Sequence, residues 1–130
     1  MLVVDASVII TALGDDGPDG DRARDRLRGQ QLTAPELIDL EVVSVLRRLR
    51  AGGHLDTRRA ELALTDLIDL PLRREPHRRL LSRCWELREN LTSYDAAYVA
   101  LAEVLGVAVL TTDKRLARAP GIRCPVEVLS

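Results

Sequence analysis

The sequence has no Phe, a single Trp (Trp85) and only two Tyr (Tyr94 and Tyr98). So few flat side chains argue against a platform that stacks successive bases, and nucleic-acid recognition is expected to lean on backbone and shape. Cysteine is also scarce. Cys84 and Cys124 lie far apart, and neither has a second Cys or His at zinc-ligand spacing, so packing thiols are expected rather than a disulfide or a metal clip. Lysine is nearly absent: Lys114 is one of 19 basic residues, and the others are Arg, clustered at 22–28, 47–50, 58–59, 73–74 and 78–79. The formal charge of -1 therefore conceals an arginine-rich surface. Such arginines serve equally as solvated helix faces and as bidentate phosphate contacts, so they are compatible with nucleic acid without establishing it. No apolar run is long enough to cross a bilayer, and Met1 leads directly into strand-like residues without a charged-then-apolar leader. A cytoplasmic protein with no membrane association is the expectation.

A chain of 130 residues with 46% hydrophobic content is expected to form one domain over 1–130, burying roughly two-thirds of its unfolded surface. The pattern predicts a strand at Leu2–Val4 and a helix from about Ser7 to Leu13, closed by Gly14 and an acidic loop to Gly20. A charged helix from about Asp21 to Arg28 precedes a strand near Gln31–Thr33, and Pro35 is expected to open a long helix stopped by Gly52 and Gly53. Asp56 can cap a helix over Thr57–Leu67. Leu70–Leu72 reads as a strand, and Pro76 as the start of a helix reaching about Asn90. A further helix carries Asp95 and ends at Gly106. Val107–Thr111 reads as a strand, Lys114–Ala117 as a short helical turn and Cys124–Leu129 as an edge strand. Strands alternating with helices predict an α/β fold, a three-layer α/β/α sandwich with a mainly parallel central sheet.

Four acids sit where a solvated carboxylate is out of place. Asp5 ends the apolar run Leu2-Val3-Val4 and Asp113 follows Val107–Thr112, which sets both at the carboxyl ends of buried strands, where open α/β sheets bind ligands. Glu41 falls four residues after Leu37 and four before Val45, on the edge of an apolar helical arc, and Asp95 opens a helix whose next positions are Ala and Val. Each acid also has a plainer reading. Asp5 or Asp113 can cap the helix after its strand, Asp95 can form a capping box with Thr92, and Glu41 can pair with Arg47, Arg48 or Arg50. If all four converge within about 5 Å, each ionised pair repels by roughly 3 kcal/mol at an effective dielectric near 20. Shared protons, an inserted arginine or a divalent cation can offset that repulsion. Oxygen donors without a companion His or Cys favour magnesium, or manganese in its place, over zinc. His54 and His77 occupy turn-like and helix-start contexts; Tyr94, adjacent to Asp95, can touch substrate or, partly buried, brace the helix entry, and Lys114 or Arg115 can contact phosphate or, as the plainer reading, face solvent.

These segments together resemble the PIN-domain ribonucleases, in particular the VapC-type toxins of bacterial toxin–antitoxin pairs. The resemblance spans nearly the whole chain. It is carried by Val3-Val4-Asp5-Ala6-Ser7, the helix from Pro35 through Glu41 to Arg48, Leu91-Thr92-Ser93-Tyr94-Asp95-Ala96-Ala97-Tyr98, and Leu110-Thr111-Thr112-Asp113-Lys114. It implies that Asp5, Glu41, Asp95 and Asp113 hold Mg2+ and catalyse hydrolysis of RNA, with Ser7 and Thr112 as polar neighbours of the acids. Water would attack, leaving a 5′-phosphate and a 3′-hydroxyl. The resemblance further implies a cognate VapB-type antitoxin whose tail crosses the acidic groove, and a homodimer. A receiver-like signalling domain shares length and an acidic magnesium pocket, but normally has paired acids after its first strand, where this chain has Ala6 and Ser7. A non-catalytic nucleic-acid-binding PIN module would lack some of the acids, and all four are present.

Overall fold

The computed structural model describes residues 1–130. In chain order the elements are β1 (Leu2–Val4), α1 (Ala6–Gly14), α2 (Pro18–Leu27), β2 (Leu32–Pro35), α3 (Leu37–Ala51), α4 (Thr57–Asp69), β3 (Leu72–Glu75), a 3-10 turn (Arg78–Leu80), α5 (Leu81–Glu86), α6 (Ser93–Leu105), β4 (Ala108–Thr111), α7 (Lys114–Arg118) and β5 (Val126–Val128). The strands form one sheet in the order β3-β2-β1-β4-β5, and every neighbouring pair is parallel. Helices flank this sheet in an α/β/α sandwich, as the alternating pattern predicts.

The strand order determines where a site can form. The chain steps from β1 outward to β2 and β3, then returns to place β4 on the other side of β1. Connections leaving β1 and β4 therefore diverge, and a crevice opens between the carboxyl ends of these two strands. Both strands are buried in the centre of the sheet: Val3 and Val4 on β1, and Val109 and Leu110 on β4, have no exposed surface. Helix α6 lies against β1, β2 and β4. Its run Ala96–Ala102 is buried on every side, and its four alanines let the helix backbone approach the sheet closely.

Several element boundaries differ from the expectation for identifiable reasons. Helix α2 begins at Pro18 rather than Asp21, because proline's fixed φ suits the first helical turn, so the acidic connection is much shorter than expected. Pro35 ends β2 instead of opening α3, and Glu36 donates its N–H to the Glu75 carbonyl (2.9 Å) before the helix starts at Leu37. Strand β3 runs over Leu72–Glu75, not Leu70–Leu72. Its register is imposed by pairing with β2, from Leu32 opposite Leu72 to Pro35 opposite Glu75, and its polar residues are tolerated at the sheet edge. The expected helix from Pro76 to Asn90 is broken into the 3-10 turn and the short α5.

Candidate active site

Asp5 leaves β1 at the N-cap position of α1, yet its side chain makes no cap. Its Oδ2 instead accepts hydrogen bonds from Ser7 Oγ (2.9 Å) and from Thr111 Oγ1 (2.7 Å). Both hydroxyls are themselves held. Ser7 Oγ accepts from the Thr112 N–H (3.1 Å), and Thr111 Oγ1, wholly buried, accepts from the Asp113 N–H (3.0 Å). These bonds lock the ends of β1 and β4 together and fix the Asp5 carboxylate. Thr112 thus acts through its main chain, while the side chain that reaches Asp5 is that of Thr111. Asp113 does cap its helix, accepting from the Arg115 N–H (2.9 Å), with Arg115 Nε 3.4 Å away.

Asp95 is the third residue of α6. Thr92 caps the helix by accepting from the Asp95 N–H (3.1 Å), but the reciprocal half of the capping box is not made, which leaves the Asp95 carboxylate turned to the crevice. Glu41, on α3, is not paired with Arg47, Arg48 or Arg50. Its Oε1 accepts a 2.5 Å hydrogen bond from Tyr98 Oη, and Tyr98 is only 1% exposed. Tyr98 lies three residues after Asp95 and so shares its helix face, which joins two acids from different helices through one ring.

The four half-buried acids line one groove of about 620 Å³, with Ser7 on its floor and Ile10, Leu37, Leu40 and Tyr94 among its apolar walls. On the other side of Asp95 and Asp113 a second recess, of about 550 Å³, carries Arg88 and Arg115. Burial, followed by the neighbouring charges of Asp5 and Asp113, raises the proton affinity of Asp95 above that of an ordinary carboxyl. Glu41 is raised as well: burial is the main cause, the Tyr98 hydrogen bond opposes it, and Asp5 and Asp95 add to it. Burial and then Glu41 push the Tyr98 hydroxyl far above the usual phenol range, so it remains a hydrogen-bond donor. The carboxylates sense one another across the groove, although no three are gathered tightly enough to grip an ion unaided. Tyr98, the two hydroxyls and the α7 backbone each hold a different acid in place. An all-oxygen donor set with room for water fits magnesium, which keeps several water ligands and rarely uses an all-protein cage.

Two residues of this arrangement, Tyr98 and Thr111, are not among the site residues expected from the sequence. For Tyr98 the available signal was a phenol in a buried stretch of small residues, whose hydroxyl must find a partner. Tyr94 proves to be 64% exposed on the groove's rim rather than a buried brace. His54 and His77 take no part in the groove.

A fold with parallel strands, a crevice at their carboxyl ends and acids contributed by β1, α3, α6 and β4 defines a class of carboxylate-lined α/β proteins. Within that class, the PIN domain matches residues 2–122. Ribonuclease VapC9 of Mycobacterium tuberculosis is 41% identical over 129 residues, covering 99% of this chain and 98% of the relative. Ribonuclease VapC1 of the same organism is 41% identical over 128 residues, covering 98% and 96%. Among solved structures, VapBC2 from Rickettsia felis, bound to a DNA fragment from its promoter, superposes with a TM-score of 0.73 at 11% identity, covering 99% of this chain and 98% of that one. The chain belongs to the PIN-domain family, in its VapC branch.

Proposed function

We propose that this chain is a toxin-type endoribonuclease that hydrolyses RNA phosphodiester bonds with magnesium held, directly or through its water ligands, by Asp5, Asp95 and Asp113. The observation that carries the proposal is the convergence of acids from four separate elements on one groove at the divergence of β1 and β4. A bound divalent ion supplies charge neutralisation at the phosphate and lowers the pKa of a coordinated water. The chain's own residues do the rest. Asp5, locked by Ser7 and Thr111, offers a carboxylate that needs no reorganisation. Glu41, set by Tyr98 and with raised proton affinity, is placed to align the attacking water and take up its proton. Arg88 and Arg115 stand beside Asp95 and Asp113, where they can hold phosphate oxygens of the strand. Attack forms a new O–P bond from water and breaks the P–O3′ bond, giving a 5′-phosphate and a 3′-hydroxyl.

We assign the binding of a controlling VapB-type antitoxin to the same groove. A basic side chain laid among the carboxylates relieves the repulsion that magnesium otherwise relieves, so antitoxin and metal-bound RNA compete. Pairing of the toxin as a homodimer is part of the proposal by analogy with the family.

Purified chain freed of antitoxin is incubated with total cellular RNA in magnesium or in chelator, beside Asp95→Asn, and the cut ends are mapped. Discrete magnesium-dependent cuts with 5′-phosphate ends are expected, with a loss of roughly 100-fold or more in the variant. Ends bearing a 2′,3′-cyclic phosphate would sink the water-attack mechanism.

A further inference from the structure

The chain has one Trp and two Tyr, and while Tyr98 is buried, Trp85 is 67% exposed and Tyr94 64% exposed. The two exposed rings border one hollow of about 440 Å³, together with Leu37, His77 and Arg88. This hollow is not separate from the acidic site. Leu37 and Tyr94 also wall the groove that holds the four acids, and Arg88 also lines the recess that holds Asp95, Asp113 and Arg115. Tyr94 immediately precedes Asp95 in α6. The Arg88 guanidinium lies over the Trp85 ring at 4.4 Å from its centroid and is anchored by a hydrogen bond from Nη1 to the Trp85 carbonyl (2.8 Å).

Exposing large aromatic rings beside a polar site forfeits their burial, and a ligand with a flat face recovers it. Unpaired bases present such faces, and each carries a phosphate for which a neighbouring guanidinium is suited. Resting on the proposed hydrolysis of RNA at the acids, we propose that the Trp85–Tyr94 hollow is a nucleotide subsite. It stacks one unpaired base next to the scissile phosphate, with Arg88 on that nucleotide's backbone. Two rings suffice for one base, in keeping with the lack of a longer aromatic platform. A protein surface covering the hollow, such as a second copy of the chain, is the competing occupant.

Because Trp85 is the sole tryptophan, its emission reports on this hollow alone. The Asp95→Asn chain, whose cleavage is expected to be slowed roughly 100-fold or more, is titrated in chelator with short unstructured oligoadenylate and oligouridylate. Emission is followed alongside the anisotropy of an end-labelled copy. Saturable quenching that tracks the anisotropy is expected, larger for oligoadenylate. Trp85→Ala is expected to weaken RNA binding about tenfold, and Trp85→Phe to restore most of it, with circular dichroism unchanged in both. RNA binding with unaltered Trp85 emission and unaltered affinity in Trp85→Ala would overturn the subsite and leave the nuclease reading intact. Emission that shifts with protein concentration in the absence of RNA, with Trp85→Ala dissociating the assembly, would assign the hollow to contact between copies. Failure of RNA to bind, together with no cleavage by the unmodified chain in magnesium, would remove both readings.

Discussion

Tyr98 has a role in the candidate site that its burial alone would not reveal. Removing its hydroxyl in Tyr98→Phe leaves the Glu41 carboxylate without its donor while the ring keeps its packing. A loss of about 2 kcal/mol in stability is expected by denaturant unfolding, together with weaker Mn2+ binding by calorimetry and a fall in RNA cleavage of roughly tenfold. The acids also set a pH dependence. Glu41 and Asp95 bind their protons more tightly in the folded protein than in the unfolded chain. Between the ordinary carboxyl values and these raised ones the native state therefore holds the extra protons, and stability falls as pH rises. Metal-free protein bears this penalty at neutral pH, and magnesium should remove it. Thermal unfolding is expected to shift upward by roughly 10 °C at a hundredfold excess of metal over its Kd near neutral pH, and by clearly less at about pH 5. Asp5, Glu41, Asp95 and Asp113 were legible in the sequence because each interrupts apolar residues that are otherwise explained. Thr111 and Tyr98 were not, since a threonine ending a strand and a tyrosine inside a buried helix look like ordinary core until their hydroxyl partners, distant in sequence, are known.

Helices and strands were legible as types, while their limits depended on contacts between elements. Pro35 could open a helix or close a strand, and only the pairing of β2 with β3 decides between them. Arginines that looked like solvated clusters turn out to join elements. Arg24 Nη1 donates to the carbonyls of Ala12 and Asp15 (2.8 Å each), Arg26 clasps Glu127 on β5 (2.6 and 2.8 Å), and Arg74 donates to the carbonyls of Leu67, Leu70 and Leu72 (2.8, 3.1 and 3.0 Å). Gly20 sits where α2 meets the end of α1: a Cβ there would stand 1.8 Å from the Asp15 carbonyl oxygen. Gly20→Ala is expected to cost about 3 kcal/mol, read from the denaturant midpoint. Glu103 on α6 receives Arg83 Nε (2.7 Å) and the Arg123 N–H (2.7 Å), tying α5 and the approach to β5 onto α6. Burial works to raise this carboxyl, but Arg83 and the Arg123 N–H prevail and hold it below its usual value of 4.5. A depressed carboxyl contributes stability above its unfolded value and loses it as pH falls toward the folded one. Glu103→Ala should therefore destabilise by about 2–3 kcal/mol at neutral pH, with the difference from the parent shrinking in acid.

At the scale of the molecule, one core cluster of 27 buried residues draws on strands and helices from both ends of the chain, from Leu2 to Leu116. A single cooperative transition is accordingly expected, with Trp85 emission and far-ultraviolet circular dichroism superimposing through urea unfolding, and with no change on adding a reductant because Cys84 and Cys124 are free. The α/β class was readable from alternation alone. The strand order was not, because local pattern carries no record of which side of β1 the returning strand joins. That order has a bearing on synthesis. The bond from Thr111 to Asp5 spans 106 residues, and Asp113 follows it. During translation Asp5, Glu41 and Asp95 leave the ribosome while the place beside β1 is still empty. The last carboxylate arrives only when β4 slots in. A fragment released before β4 therefore lacks the fourth carboxylate, and the proposed cutting site is complete only once β4 and Asp113 have emerged.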